Sequence, residues 1–135
     1  MISEFNYNSM TQKQRILAVD DNRVNLILLK EMLSEHYEVV SFSDPVKALQ
    51  HFFPETFDLV ISDFMMPEMH GIELLEKIRQ IDSNVPFIIS SANNDEENIR
   101  AAYQAGVDKY LLKPLNIATL NNTVKRFIKI KKNCI

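Results

Sequence analysis

Glycine is nearly missing from this chain: 135 residues contain two, Gly71 and Gly106, set far apart. That excludes the dinucleotide fingerprint and the P-loop, both of which need clustered glycines. There is one cysteine, Cys134, so no internal disulfide can form and the fold needs no oxidising compartment. No apolar run approaches the roughly 20 residues that span a bilayer, and Met1 to Arg15 carry no apolar core of the signal-peptide kind. Basic charge is not in excess either. Fifteen Lys and Arg against eighteen Asp and Glu leave −3, which argues against binding dominated by nucleic-acid phosphates. The expectation is a cytoplasmic protein that touches neither membrane nor nucleic acid directly.

What is present is a repeating alternation. Residues 1–14 are polar and aperiodic and read as a flexible N-terminal arm. Ile16-Leu17-Ala18-Val19 is a short apolar run that stops at Asp20-Asp21-Asn22, as expected of a strand buried on both faces. Val24, Ile27, Leu28, Met32 and Leu33 then recur at helical spacing, behind an Asp or Asn that can act as N-cap. Glu38 to Phe42 reads as a strand, and Asp44-Pro45 opens a helix running to about Phe52. Leu59-Val60-Ile61 ends in Ser62-Asp63, and Ile72, Leu75 and Ile78 mark a helix after the turn from Pro67 to Gly71. Phe87-Ile88-Ile89 ends in Ser90-Ser91. Asn94 or Asp95 caps a helix with Ile99, Ala102 and Tyr103, stopped by Gly106. Tyr110-Leu111-Leu112 ends in Lys113-Pro114, and Ile117, Leu120, Val124 and Phe127 form the last helix. The domain spans 15–130, followed by a basic tail over 131–135. Five strands alternating with five helices predict an α/β fold: a doubly wound parallel sheet with helices on both faces.

Ligands of such sheets bind beyond the carboxyl ends of the strands. Here those ends carry Asp20 and Asp21, then Asp63, then Ser90 and Ser91, then Lys113. If the first and third strands are neighbours, three carboxylates meet in one crevice. Three carboxylates raise one another's pKa, and a hard divalent cation such as Mg²⁺ relieves that repulsion through oxygen ligands. A lysine and a hydroxyl beside them complete a site for a phosphoryl group, and a carboxylate can itself be the nucleophile.

Val19-Asp20-Asp21-Asn22, Ser62-Asp63-Phe64-Met65-Met66-Pro67, Ser91-Ala92 and Lys113-Pro114 together resemble the receiver domain of two-component response regulators, over about Arg15 to Phe127. Each motif alone is weak; all of them in order, each at a strand end, are specific. The resemblance implies the flavodoxin-like strand order 2-1-3-4-5. It implies that Asp63 is the phospho-acceptor, taking its phosphoryl group from a sensor histidine kinase or a histidine phosphotransfer protein. The metal, Mg²⁺ or Mn²⁺, would be held by Asp21 and Asp63 and the backbone carbonyl of Met65, with Asp20 acting through water. Lys113 would pair with Asp63 at rest and with the phosphoryl group afterwards, across a cis bond to Pro114. Ser91 would move toward the phosphoryl oxygens, and Tyr110 would pass from exposed to buried. The output would be the face of the fourth helix, fifth strand and fifth helix, which can also form a phosphorylation-dependent homodimer. The protein would be a switch rather than an enzyme, with only its own phosphotransfer and dephosphorylation to catalyse. Met65 and Asn93 occupy the two positions that set the dephosphorylation rate in the family. A methionine cannot orient an attacking water strongly, so decay should be slow to moderate.

Other readings of the same residues are weaker. Asp20 and Asp21 could merely cap the first helix, but Asn22 can do that. Adjacent strand residues face opposite ways, so only one of Ser90 and Ser91 reaches the crevice, and Ala92 favours Ser91. A pseudo-receiver would usually have lost one of Asp20, Asp21, Asp63, Ser91 or Lys113. A haloacid-dehalogenase-type phosphatase needs an acid where Met65 stands. A flavodoxin would want a Ser/Thr/Gly-rich loop in place of Asp20-Asp21-Asn22.

Overall fold

The structure, a computed structural model, describes residues 13–133. Residues 1–12, most of the expected arm, lie outside the described residues, as does Cys134. The elements are β1 (Gln14–Val19), α1 (Arg23–Leu33), β2 (Tyr37–Phe42), α2 (Pro45–Gln50), β3 (Leu59–Ser62), α3 (Gly71–Ile81), β4 (Phe87–Ser91), α4 (Glu96–Gln104), β5 (Lys109–Leu112) and α5 (Ile117–Asn133). β1 thus takes Gln14, and α5 continues through the first three residues expected as tail. Among the described residues no helix is long and apolar enough to cross a membrane.

The five strands form one sheet in the order β2-β1-β3-β4-β5, and every neighbouring pair is parallel. Side chains alternate across it. Leu17, Val19, Val60, Phe87 and Ile89 pack with Ala48 of α2, Leu74, Leu75 and Ile78 of α3, and Ala102 of α4. Ile16, Ala18, Leu59, Ile61 and Ile88 pack with Leu26, Leu29 and Leu33 of α1 and Leu120, Val124 and Ile128 of α5. Apolar residues of both parities in β1, β3 and β4 are buried because helices cover both faces.

The first helix departs from its sequence reading. Its buried face is Leu26, Leu29 and Leu33, while Val24, Ile27 and Leu28 are 63%, 59% and 46% exposed. Apolar residues at 24, 26, 27, 28, 29, 32 and 33 cover more than one stripe of this helix. Periodicity cannot choose between overlapping stripes; the packing of α1 onto β1 and β2 does.

Chain order reverses at β1, which lies between β2 and β3. That is the switch point where loops diverge and leave a crevice. The loops after β1 and β3 flank it.

Candidate functional site

Asn22 caps α1: its side-chain oxygen accepts from the amides of Val24 at 2.9 Å and Asn25 at 3.2 Å. Asp20 and Asp21 are therefore free of capping. Asp20 is 1% exposed and takes the Asn22 amide at 2.9 Å on Oδ1. Asp63, directly after β3, accepts the Phe64 amide at 2.8 Å. Asp20, Asp21 and Asp63 each bring a carboxylate oxygen within 4.8 Å of the others.

Lys113 reaches into this group from the end of β5, past a cis Lys113–Pro114 bond. Its Nζ lies 2.8 Å from Asp20 Oδ2 and 3.6 Å from Asp63 Oδ1. The family resemblance puts its resting partner at Asp63. The lysine makes that pair and a second, shorter one with Asp20, the more buried carboxylate, where an unpaired charge costs most.

Burial pushes the Asp63 carboxyl above the usual carboxylate range; the Lys113 charge opposes this, Asp20 adds to it, the Phe64 amide opposes it, and Asp21 adds to it. A group whose folded pKa is raised binds its proton more tightly folded than unfolded. Its contribution to stability falls as pH rises through the interval between those two values and returns on acidification. Asp63→Asn is therefore expected to stabilise the metal-free protein near neutral pH by roughly 1 kcal/mol, about 4 °C in Tm. It should also flatten the acidic limb of stability against pH. Thermal melts in EDTA across that range check both.

The donor set fits a hard divalent cation: oxygen ligands only, an excess of negative charge, and one cation that does not neutralise it. Asp21, which is exposed, and Asp63 offer carboxylates from the two loops of the crevice. Met65 follows two residues after Asp63, its side chain exposed.

Ser91 and Ser90 separate as strand alternation requires. The Ser91 Oγ accepts the Asn93 amide at 3.0 Å. Ser90 instead lines a groove of about 430 Å³ on the α1 side, with Leu28, Leu29, Met32 and Leu115. Tyr110 is buried. Its hydroxyl donates to the Asn93 carbonyl at 2.8 Å, and its ring meets Phe64 edge-on at 6.0 Å. Burial raises the Tyr110 phenol, a hydrogen bond with the Ser91 side chain opposes this, and the Asp63 charge adds to it. Asn93 thus joins Ser91 and Tyr110 through its own backbone.

Three contributors escape the sequence reading of the site. Phe64 packs on Tyr110. Tyr103 accepts the Tyr110 amide on its hydroxyl at 3.0 Å. Gly71 lies so close to β3 that a Cβ there would stand 2.3 Å from the Asp63 carbonyl oxygen. Phe64 stands in one of the motifs quoted above and Gly71 is one of two glycines in the chain; no such signal marks Tyr103.

A family model described as the response regulator receiver domain matches residues 16–125. Sporulation initiation phosphotransferase F of Bacillus subtilis is 32% identical over 121 residues, covering 89% of this chain and 98% of that protein. The two-component response regulator ARR10 of Arabidopsis thaliana is 38% identical over 125 residues, but the match covers only 22% of its length and 88% of this chain. Among solved structures, a CheY-like receiver domain protein from Methanospirillum hungatei superimposes with a TM-score of 0.85 at 31% identity, covering 90% of this chain and 98% of that one. The receiver domain of a sensor histidine kinase from Pseudomonas aeruginosa, solved with a magnesium ion coordinated in its active-site cleft, does so with 0.80 at 30% identity, covering 87% and 99%.

Proposed function

This chain belongs to the response regulator receiver domains of two-component signalling, and from that premise we propose that it accepts a phosphoryl group on Asp63. The observation that supports this best is the convergence of Asp20, Asp21 and Asp63 within 4.8 Å with one lysine between two of them.

The donor in this reading is a phosphohistidine, on a sensor histidine kinase or a histidine phosphotransfer protein. An Asp63 carboxylate oxygen attacks phosphorus, a P–O bond forms, and the P–N bond breaks. The electron pair leaves with the imidazole, which takes up a proton. Bound Mg²⁺, held by Asp21, Asp63 and the Met65 carbonyl with Asp20 acting through water, would neutralise charge on the transferring oxygens. Lys113 turns from the carboxylates to the phosphoryl group, and Ser91 gives up the Asn93 amide to donate a hydrogen bond to it. Tyr110 already occupies the buried position expected of the switched state.

Val24, Ile27 and Leu28 are exposed on α1, the helix that follows Asp20 and Asp21, and in this reading they are the apolar contact for the donor protein. Tyr103, Leu112 and Ile117 are exposed apolar residues on α4, β5 and the start of α5. They support that face as the output surface and as the seam of a phosphorylation-dependent homodimer. A cytoplasmic location goes with this reading.

Intact mass after incubation with acetyl phosphate and Mg²⁺ tests the proposal. One phosphoryl adduct is expected on the wild type, absent with EDTA and absent in Asp63→Asn. An adduct that survives in the variant would move the acceptor elsewhere. No adduct on the wild type would make this a receiver that signals without phosphorylation.

A further inference from the structure

Among the described residues β5 is an edge strand, and one side of it has no neighbouring strand there to pair its backbone. The Tyr110 amide is nevertheless paired, through the Tyr103 hydroxyl at 3.0 Å. Tyr110 is thus held at both ends. Its own hydroxyl is bound to the Asn93 carbonyl at 2.8 Å, in the loop that also holds the Ser91 Oγ, and its backbone is bound to α4.

α4 needs such a tie more than the other helices do. It contributes one fully buried residue, Ala102, with Ile99 packed against the core from the margin. Little apolar burial therefore fixes it to the sheet, and elements of that kind sit at the low-stability end of a fold. Tyr103 is 44% exposed, so a partner can reach this side chain even though the hydrogen bond it makes is partly buried.

We propose that Tyr103 is a positioning residue for the switch: its hydroxyl couples the backbone of Tyr110 to α4, and so carries a change at the Asp63–Ser91 site into the exposed face of that helix. The path is continuous, from Ser91 to the Asn93 backbone, to the Tyr110 side chain, to the Tyr110 amide, to Tyr103. Coupling of this kind is reciprocal. A partner whose grip on Tyr103 strengthens or weakens the tie therefore shifts the Asp63–Ser91 site in the same measure. The proposal rests on the phospho-acceptor reading only for its trigger.

Tyr103→Phe removes the hydroxyl and keeps the ring, and at an exposed position it leaves the fold intact. Two measurements on the full chain decide the matter. In amide exchange, the Tyr110 amide of Tyr103→Phe should exchange about ten-fold faster than in the wild type. The Lys113 amide, which donates to the Ser91 carbonyl at 2.9 Å, serves as an unchanged reference. In titration with beryllofluoride and Mg²⁺, a phosphoryl mimic, wild type and variant should bind the same one equivalent. The resulting amide shifts in Glu96 to Gln104 should fall to about half or less in the variant. A variant whose α4 shifts match the wild type, or whose Tyr110 exchange is unchanged, overturns the proposal. If the wild type does not bind beryllofluoride, the acceptor reading is what fails, and the Tyr110 exchange rate alone decides whether the tie exists.

Discussion

Lys113→Ala should lower the stability of the metal-free protein by about 3 kcal/mol, the lower end of what breaking a buried ion pair costs. Asp20 is 1% exposed and its closest cation is Lys113 at 2.8 Å. Without that lysine a buried carboxylate faces Asp63 and Asp21 with no ion-pair partner among the described residues. The lower end applies because Lys113 is itself 18% exposed and water entering the crevice screens part of the loss. Two further measurements identify the cause. Asp20→Asn added to Lys113→Ala should recover about half the loss or more, because the uncompensated charge is then gone. Millimolar Mg²⁺ should stabilise Lys113→Ala more than the wild type, because the metal supplies the missing positive charge. Urea unfolding of the two single variants and the double, with and without Mg²⁺, checks all three. A Lys113→Ala protein as stable as the wild type would mean that water in the crevice compensates the Asp20 charge without the lysine.

The second large effect belongs to Gly71. A Cβ there would lie 2.3 Å from the Asp63 carbonyl oxygen and 3.2 Å from the Phe64 Cα. Both are backbone atoms and cannot rotate away. The Gly71 amide also donates to the Phe64 carbonyl at 2.8 Å, so the start of α3 is bound to the loop it would have to leave. Gly71→Ala should cost about 1–3 kcal/mol, as overpacking does. It should also displace the segment that carries Asp63 and Met65, and lower Mg²⁺ affinity about ten-fold or more. Gly106→Ala is the control. Gly106 has φ +105 with open space where a Cβ would stand, so alanine there is strained and destabilising but far from the crevice. It should leave Mg²⁺ affinity unchanged. Urea unfolding and Mg²⁺ titration of both variants separate a general loss of stability from a displaced site.

Much of the site is legible in the order of residues along the chain. Val19 ends an apolar run at Asp20, Ile61 ends one at Ser62 and Asp63, and Leu112 ends one at Lys113. Residues in those places lie at the carboxyl edge of a parallel sheet whatever else the fold does. The strand alternation that separates Ser90 from Ser91 is equally local. Asn22 as the cap of α1 is one of the options its position allows, and its side-chain bonds to Val24 and Asn25 settle it.

Other features are not legible there. The α1 helix offers more than one apolar stripe, and periodicity cannot choose which of them is the core face. Lys113 has two carboxylates in reach, and nothing in the chain says that Asp20 is nearer. Tyr103 reads as a core-facing residue of the fourth helix, but it is half exposed and meets the amide of a residue seven positions on.

The sequence by itself determined the alternation of buried strands and amphipathic helices, and with it the placing of Asp20, Asp21, Asp63, Ser91 and Lys113 at strand ends. Those follow from hydrophobic period and from where each apolar run stops, which are properties of neighbouring residues. The tertiary structure decided which side of α1 is covered, which carboxylate Lys113 touches, how closely Gly71 must approach Asp63, and that Tyr103 binds the edge of β5. Each depends on distances of a few ångström between groups on different elements, and those distances are fixed only when the elements have packed.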